Sequence, residues 1–402
     1  MRYLTAKQMS EKWGITVRRV QELCKCGEIV GATRHGREWL IPEFSEKPAD
    51  KRGNKNQGSS PLEQALYTHI SVKYKHSGSA KSILSSLNSD EKELFNMQLC
   101  YYKGDVKKAL DMAKKLMTKD DSFYKRFLLG YIYSLASMAL GDIDSFVYAQ
   151  EYIKEYKTKN NTEAELIDFL LASNASAAYD GSLFPDWFRR GDFAHIPANF
   201  QFIARKHYVK YLYIMTHDDA CIQHNIPKLE FIRIMPLIIE PLIAQAIFEG
   251  NILNEGYLRL MCASAYHTAG EDNLTVKHIE KALDIFLPDG LLLPLAEYRH
   301  RLGSLLDAKL LEYDEKVLNE VKKLSKNINS GWIKLHNAVL KRKVSDSLSF
   351  REREIAKLAI YGLSNKEIAD RLGVSVNAVK LALRSTMDKT GANSRSELYH
   401  YV

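Results

Sequence analysis

The stretch that decides the fold lies near the end of the chain and runs Ile368-Ala369-x-x-Leu372-Gly373-Val374-Ser375-Val376-x-x-Val379. The same pattern occurs near the start, as Met9-Ser10-x-x-Trp13-Gly14-Ile15-Thr16-Val17-x-x-Val20. In each copy the glycine can end a helix, because it adopts a positive φ without a Cβ clash, and the Ser or Thr that follows can cap the next helix. Each copy therefore predicts a helix-turn-helix whose second helix exposes polar side chains to a major groove.

The positive charge of the chain is concentrated at its two ends. Residues 1–60 hold 12 lysines and arginines against 7 acidic residues, and residues 341–402 hold the same numbers, so each end carries +5. Because the formal net charge is +8, the remaining residues carry −2. Neutralised phosphates supply most of the sequence-independent affinity for DNA, so the two ends are suited to bind double-stranded DNA.

The remaining composition indicates a cytoplasmic protein with two or three domain cores in its 402 residues. The five cysteines are scattered without a CxxC pair, which predicts reduced thiols rather than a disulfide, redox or zinc site. The CxC of Cys24 and Cys26 has no third ligand nearby. The most apolar stretch, Ile234–Phe248, is interrupted by two prolines and by polar residues, which predicts a buried helix pair rather than a membrane span.

No catalytic motif is found in the sequence. The chain lacks GxxxxGK, HExxH and GxSxG patterns, and its middle lacks the alternating strands and helices of a receiver domain. We therefore predict no enzyme activity, no catalytic residue, no cofactor and no metal ion.

Residues 62–340 are predicted to be helical almost throughout. Apolar residues recur at intervals of three and four, as in Val106, Ala109, Leu110, Ala113 and Leu116. Polar breaks containing Gly104, Gly141 and Gly270 separate the helices, and the first two glycines lie 37 residues apart. This segment resembles a tetratricopeptide-like repeat array, whose period is roughly 34 residues, and would act as a sensor or interaction domain. An ordinary α-helical bundle stays the alternative.

Residues 1–47 are predicted to form a winged helix-turn-helix. One helix begins after a Thr5 cap and runs through Trp13, and the second runs from Thr16 to about Cys26. Glu28–Val30 and Glu38–Ile41 alternate like two strands around the turn residues 34–37, which predicts a β-hairpin wing. Residues 48–61 are rich in Pro, Gly and Ser and predict a flexible linker.

The N-terminal unit also carries a family resemblance. Its residues are Leu4-Thr5-Ala6-Lys7, Trp13-Gly14-Ile15-Thr16-Val17, Gly31, Gly36-Arg37, Trp39-x-Ile41-Pro42 and Lys47-Pro48. They resemble the small MerR-like or excisionase-type winged domains. We expect a core of Val17, Val20, Leu23 and Cys24, and DNA contacts from Thr16, Arg18, Arg19, Gln21, Arg34 and Arg37. Such a domain can instead bind a protein partner, and that alternative stays open.

Residues 345–402 carry the most specific pattern in the chain. Ser349 with Glu352, and Ser364 with Glu367, have the spacing of capping boxes and mark two helix starts. The run Leu348-Ser349-Phe350-Arg351-Glu352-Arg353-Glu354-Ile355, followed by Gly362-Leu363-Ser364-Asn365-Lys366-Glu367-Ile368-Ala369, resembles the LuxR-type DNA-binding domain. The resemblance covers the four-helix module. It implies a transcription regulator whose third helix enters the groove and whose fourth helix supports contacts in a possible homodimer.

The third helix of this module has two different faces. Val376, Val379 and Leu383 share one face, so the DNA contacts are predicted on the other face and beside it, at Lys366, Ser375, Asn377, Lys380, Leu381, Arg384 and Arg395. Ala382, Thr386 and Thr390 depart from the family pattern. The two inward threonines remove apolar burial, so we expect the domain to be marginally stable alone. The departures also bear on operator sequence and dimer geometry.

A cluster of aromatic residues lies between helices of the middle segment. Phe184, Trp187, Phe188 and Arg189 could line a groove for a ligand or a partner, since aromatic and arginine side chains are favoured at binding hot spots. A packed aromatic wedge is the alternative.

Together these patterns predict a mainly α-helical bacterial transcription regulator with two DNA-binding modules. The linked modules would raise each other's effective concentration on DNA. RNA polymerase, a protein or a small-molecule effector would act through the helical middle, and no membrane partner is expected. Two alternatives stay open: a helical-repeat adaptor with secondary DNA contact, and an excisionase-like recombination accessory factor.

Overall fold

Two compact units, Met1–Ser60 and Pro61–Val402, make up the computed structural model of the chain. The structure describes residues 3–25, 29, 32–36, 38–43, 45, 74–119, 121–176, 184–194, 196, 198–215, 228–340, 348, 350–390 and 392–400. The linker predicted at 48–61 lies outside these residues.

The first unit combines a helix-turn-helix with a small antiparallel sheet. Its elements are β1 (Tyr3–Thr5), α1 (Ala6–Trp13), α2 (Val17–Lys25), β2 (Thr33–His35) and β3 (Glu38–Pro42). The Thr5 cap is confirmed, because its side chain accepts from the Gln8 amide while Gln8 accepts from the Thr5 amide. Gly14 ends α1 at a φ of 64°. Met9, Val20 and Ile41 are fully buried between the helices and the sheet.

The sheet corrects the prediction of the wing. The hairpin pairs β2 with β3, with Arg34 opposite Trp39 and His35 opposite Glu38, so residues predicted as turn belong to a strand. Ile29, predicted in a strand, is a buried residue outside any strand, and its neighbours Glu28 and Val30 lie outside the described residues. The central strand is β3, because β1 pairs along its other edge with Leu4 opposite Ile41. β1 was not predicted from the sequence.

The second unit is helical. Its middle part contains α3 (Ala80–Ser86), α4 (Ser89–Lys103), α5 (Val106–Leu116), α6 (Phe123–Leu140), α7 (Ile143–Lys154), α8 (Asn161–Ser176), α9 (Asp186–Arg189), α10 (Ala198–Met215), α11 (Lys228–Glu249), α12 (Ile252–Ala269), α13 (Asp272–Phe286), α14 (Leu293–Tyr313) and α15 (Glu315–Leu340). Its last part contains α16 (Phe350–Ile360), α17 (Asn365–Leu372) and α18 (Val376–Thr390). Short 3-10 turns span Leu287–Asp289 and Glu397–His400. The mainly α fold class is confirmed.

The predicted glycine breaks separate packed helix pairs. Gly104, Gly141 and Gly270 each end a helix in the left-handed conformation, with φ of 101°, 65° and 94°. The helices on either side pack against each other, as α4 with α5, α6 with α7, and α12 with α13. Local helix endings in the middle segment could therefore be predicted from the sequence.

The apolar stretch around Pro236 and Pro241 forms one helix, α11, where the sequence analysis predicted a buried pair. Ile239 and Ala246 are fully buried, whereas Leu237 and Phe248 are 75% and 92% exposed, so one face of the helix is open. The helix continues through both prolines. Among the described residues, no helix has the length and hydropathy to cross a membrane.

The last three helices share a hydrophobic core with the middle of the chain. Met235, Ile239 and Cys262 of α11 and α12 belong to the same buried cluster as Ile355 of α16 and Leu383 of α18. A second cluster fills the rest of the middle segment, around Phe95, Ile132 and Leu295. The C-terminal helix-turn-helix is therefore packed against the helical middle within one unit.

Candidate nucleic-acid interface

The C-terminal helix-turn-helix is fixed by local hydrogen bonds at its turns. The Ser364 hydroxyl accepts from the Glu367 amide at 3.3 Å, and the Glu367 carboxylate accepts from the Ser364 amide at 2.7 Å, which confirms this capping box. Gly373 ends α17 at a φ of 62°, and the Ser375 hydroxyl accepts from the Ala378 amide at 3.1 Å. The turn between α17 and α18 is therefore defined on both sides.

The outer face of α18 is polar and open to solvent. Val379 and Leu383 are buried, and these residues orient the helix. The predicted contacts Asn377, Lys380, Leu381 and Arg384 are exposed, Leu381 by 66%, as are Ser375 and Lys366 next to them. Val376 is 38% exposed, so its predicted place on the buried face is wrong. It lies in the first turn, at the edge of the domain, where no neighbouring helix covers it fully.

Arg395 has a different environment from the other predicted contacts. Its guanidinium donates to the Ala359 carbonyl at 3.2 Å, to Asn365 Oδ1 at 3.0 Å and to the Leu363 carbonyl. These bonds join the end of the chain to α16 and α17. The geometry therefore gives Arg395 a role in holding the domain together, apart from the exposed face of α18.

Polar contacts inside the domain replace part of the apolar burial that the family pattern contains. Thr386 is fully buried and donates to the Ala382 carbonyl at 2.7 Å, and Thr390 donates to the Thr386 carbonyl at 2.8 Å. Glu352 of α16 accepts from Ser385 at 2.6 Å and from Lys389 at 2.8 Å, which ties α16 to α18. Its predicted capping partner, Ser349, lies outside the described residues. After α18, the described chain has one 3-10 turn, Glu397–His400, where a fourth helix is expected.

The N-terminal helix-turn-helix also presents cations. Thr16 and Gln21 are exposed, and the Arg18 side chain is 89% exposed. Arg19 is 19% exposed and lies 3.6 Å from Glu22, which also pairs with Arg18 at 3.5 Å. The placement of Val17 in the core is wrong, because this first-turn residue is 38% exposed.

At the wing, Arg34 of β2 is exposed. Arg37, the other cation predicted there, lies outside the described residues.

The aromatic cluster of the middle segment is packed rather than open. Phe184 and Phe188 are buried and stack with ring centroids 4.2 Å apart, so the proposed groove at these two residues is wrong. Trp187 is half-buried, with its ring edge-on to Phe188 and Phe193. Arg189 is exposed. The rings fill the space beside α8 and α10, as the packed alternative predicts.

A cavity of about 250 Å³ lies where the middle segment meets α16. Side chains from α4, α6, α10, α11, α12, α14, α15 and α16 line it, among them Tyr101, Lys210, Glu297, Trp332 and Lys357. This site was not predicted from the sequence, because its residues are far apart in the chain and match no short motif. The one local signal is a pair of lysines four residues apart, Lys206 and Lys210, on a helix that also carries Arg205 and His207.

Three groups that can bind a metal ion meet between α11, α12 and α13. The ligand atoms of Glu240, Cys262 and His278 all lie within 4.8 Å of one another, and His278 Nε2 is 3.1 Å from the Glu240 carboxylate. Burial raises the pKa of the Cys262 thiol and lowers that of His278. His278 and Glu240 thus form a hydrogen-bonded contact between α11 and α13, and the Cys262 thiol lies next to it.

Comparison with known proteins finds a family match at the C-terminal end of the chain. Residues 346–402 match the family model described as GerE, bacterial regulatory proteins, luxR family. The chain matches none of the curated proteins and none of the solved structures. The last part of the chain is thus a LuxR-family helix-turn-helix domain, and it coincides with the helices that expose the polar face of α18.

Proposed function

We propose that the chain is a sequence-specific DNA-binding transcription regulator of bacterial cytoplasm and not an enzyme. The observation that carries this function is the exposed face of α18 within a LuxR-family domain. On this face Asn377 can bond the edge of adenine, and Lys380 and Arg384 can bond guanine or phosphate. Lys366 and Ser375, at the starts of α17 and α18, are suited to position the domain on the backbone.

The N-terminal unit would supply a second DNA contact through Thr16, Arg18, Arg19, Gln21, Arg34 and Arg37. The helical middle, which we interpret as a tetratricopeptide-like sensor or interaction domain, would connect this contact to the C-terminal domain. Two linked modules of modest affinity can bind a composite site tightly, because the second binds at a raised effective concentration. RNA polymerase or an effector would contact the middle, and a homodimer would pair two half-sites.

Selection of binding sites from a random DNA pool, followed by anisotropy titrations, tests the function. Arg384→Ala is expected to weaken binding by about 1–3 kcal/mol and to relax the preference at one base pair, whereas a phosphate contact such as Lys366→Ala would reduce the salt slope by about 1. Arg205→Ala removes an exposed cation on α10 and is the control for net charge. Equal enrichment of all sequences, or equal affinity in Arg384→Ala, would contradict the proposal.

The contribution of the N-terminal unit is tested in the full-length chain with Arg18→Ala combined with Arg34→Ala. If the unit binds DNA, the footprint on the selected site shortens and affinity falls, while the sequence preference of the C-terminal domain is kept. An unchanged footprint and affinity would leave this unit to a protein partner.

A further inference from the structure

The cavity between the helical middle and the DNA-binding domain has an unusual set of charges. Lysine or arginine side chains occupy five of its described lining positions, which are Lys206, Lys210, Arg301, Arg353 and Lys357. Glu297 is the one carboxylate among those lining residues. Arg353 is buried and the other four are half-buried, and cations gathered at such a site are costly unless negative charge is brought to them.

The single carboxylate is already engaged with neutral donors. Glu297 accepts hydrogen bonds from the Tyr101 and Tyr257 hydroxyls, both at 3.1 Å. Lys206 donates to Asn254 Oδ1 at 2.8 Å and lies 5.1 Å from the centre of the Tyr257 ring. These contacts fix the positions of Glu297 and Lys206 without balancing the positive charge of the cavity.

The charges around Lys210 and Lys357 indicate what kind of ligand fits the cavity. Within the described part of the chain, neither ammonium lies within 4.0 Å of a carboxylate. Each feels the charge of nearby cations, Lys210 that of Arg301, and Lys357 that of Arg301 and Arg353. These effects exceed that of the carboxylate that acts on each lysine, Glu297 for Lys210 and Glu354 for Lys357. An arrangement that gathers like charges around open space is stabilised by an anion in that space.

We propose that this cavity binds a small organic anion with two or more negative charges, which bridges the helical middle to the DNA-binding domain. Lys206 and Lys210 on α10 and Arg301 on α14 contact it from the middle, and Arg353 and Lys357 on α16 contact it from the DNA-binding domain. Tyrosine rings and Trp332 supply flat apolar walls, which suit a ligand with a ring or carbon skeleton. A cavity of about 250 Å³ suits a small molecule.

Binding is measured on the full-length chain by isothermal titration calorimetry with four probes. Adenosine monophosphate tests a phosphate ester on a ring, citrate a compact polycarboxylate, pyrophosphate an anion without a carbon skeleton, and adenosine the same ring without charge. We expect adenosine monophosphate or citrate to bind and adenosine not to bind. Binding is also expected to change Trp332 fluorescence, a change that Trp332→Phe removes.

Substitutions on both sides of the cavity separate binding from folding. Lys210→Met and Lys357→Met keep the length of the side chain and remove the charge, so each should weaken anion binding about tenfold or more. Both should leave the thermal midpoint of the ligand-free chain equal or higher, because an apolar side chain of similar length replaces a partly desolvated lysine. Arg205→Met, which removes an exposed charge from the same helix as Lys210, should leave anion affinity unchanged.

The proposal is overturned if none of the three anions binds the wild-type chain, or if the two cavity variants bind them as wild type does. A lowered thermal midpoint in both variants would also contradict it, since the lysines would then be structural.

The effect of the anion on DNA binding rests on the proposed function and is measured separately, as a change in affinity for DNA. Because α16 carries part of the cavity, an anion that bridges it to α10 should change the affinity for the selected DNA site, by roughly 5- to 150-fold if the coupling is typical. Anion binding without DNA binding would refute the proposed function and leave the cavity proposal standing. DNA binding without anion binding would refute the cavity proposal and leave the proposed function standing.

Discussion

At the residue scale, burial sets the charge state of the cavity lysines. Desolvation lowers the pKa of Lys206 to about 7 and that of Lys210 to about 8, and it lowers the pKa of Lys357 as well. Desolvation also raises the pKa of Glu297, against the hydrogen bonds from Tyr257 and Tyr101. An empty cavity therefore loses much of its charge near neutral pH, and an anion restores that charge by drawing protons to the lysines.

The stability of the ligand-free chain should consequently depend on pH with a definite sign. Between about pH 7 and 9 the unfolded lysines stay protonated while Lys206 and Lys210 are deprotonated in the folded chain, so the unfolded state binds more protons and the free energy of unfolding rises with pH. The other charged and titratable groups that line the cavity are Tyr101, Tyr102, Tyr131, His207, Tyr257, Glu297, Tyr298, His300, Arg301, Arg353 and Lys357.

Urea unfolding at several pH values measures this slope. Lys206→Met combined with Lys210→Met should flatten it, and an identical slope in the variant would show that other groups produce it. The affinity for adenosine monophosphate or citrate should change in the opposite direction, falling as pH rises, because the cations that bind the anion are lost. Calorimetry in buffers of different ionisation enthalpy should detect proton uptake on binding at about pH 8.

At the element scale, helix ends were predictable from the sequence because their determinants are local. The Thr5 and Ser364 caps and the glycines that end α1, α4, α6, α12 and α17 each depend on a few neighbouring residues. The strand register was not predictable from the sequence, because Thr5 of β1 pairs with Leu40 of β3, far along the chain. The cavity was also missed, because it depends on helix packing that brings Lys210 and Lys357 together.

The Ser364 cap gives a prediction at this scale. Ser364→Ala leaves amides at the start of α17 without the hydroxyl, so it should lower the free energy of unfolding by about 0.5–2 kcal/mol in urea. Ser364→Asp keeps an acceptor and adds a favourable negative charge at the helix start, so it should stay close to wild type. Equal losses in both variants would show that the cap contributes nothing.

The crossing of α6 and α15 gives a second prediction. A Cβ at Gly331 would overlap the Ala139 carbonyl and lie 2.7 Å from the Gly141 amide nitrogen, so backbone, not a flexible side chain, must move. Gly331→Ala should therefore destabilise the chain by about 1–3 kcal/mol, although alanine alone favours a helix by up to about 1 kcal/mol. Lys326→Ala, at an exposed position of α15, is the control in the same thermal scan. A stabilised Gly331→Ala would mean that the helices can separate there.

At the scale of the whole molecule, the DNA-binding helices are part of a larger folding unit. Ile355, Ala356 and Ala359 of α16 lie in one core with residues of α11 and α12, and Arg371 of α17 lies beside Gly270. The polar bonds of Thr386 and Thr390 leave the domain with less apolar burial of its own. The expected marginal stability of the isolated domain is thus compatible with a stable place in the full chain.

Shared packing predicts cooperative unfolding. Hydrogen exchange under native conditions should show amides of α16 opening together with those of α12, with a common dependence on urea. Ala359→Asp, a charge placed in the shared core, should lower protection in both helices. Loss of protection in α16 alone would indicate that the C-terminal domain is tethered to the middle without a shared core. It would also contradict a cavity built from both parts.

The division of the cavity wall between two parts of the chain restricts how the molecule can be recombined. Because Arg353 and Lys357 lie in α16, exchange of residues 346–402 for another LuxR-family domain would remove two of the five cavity cations and leave Lys206, Lys210 and Arg301. On this proposal, such a hybrid would bind the DNA site of its new domain without responding to the anion. If the cavity binds an anion as proposed, its binding site and the DNA-binding domain would have to be transferred together.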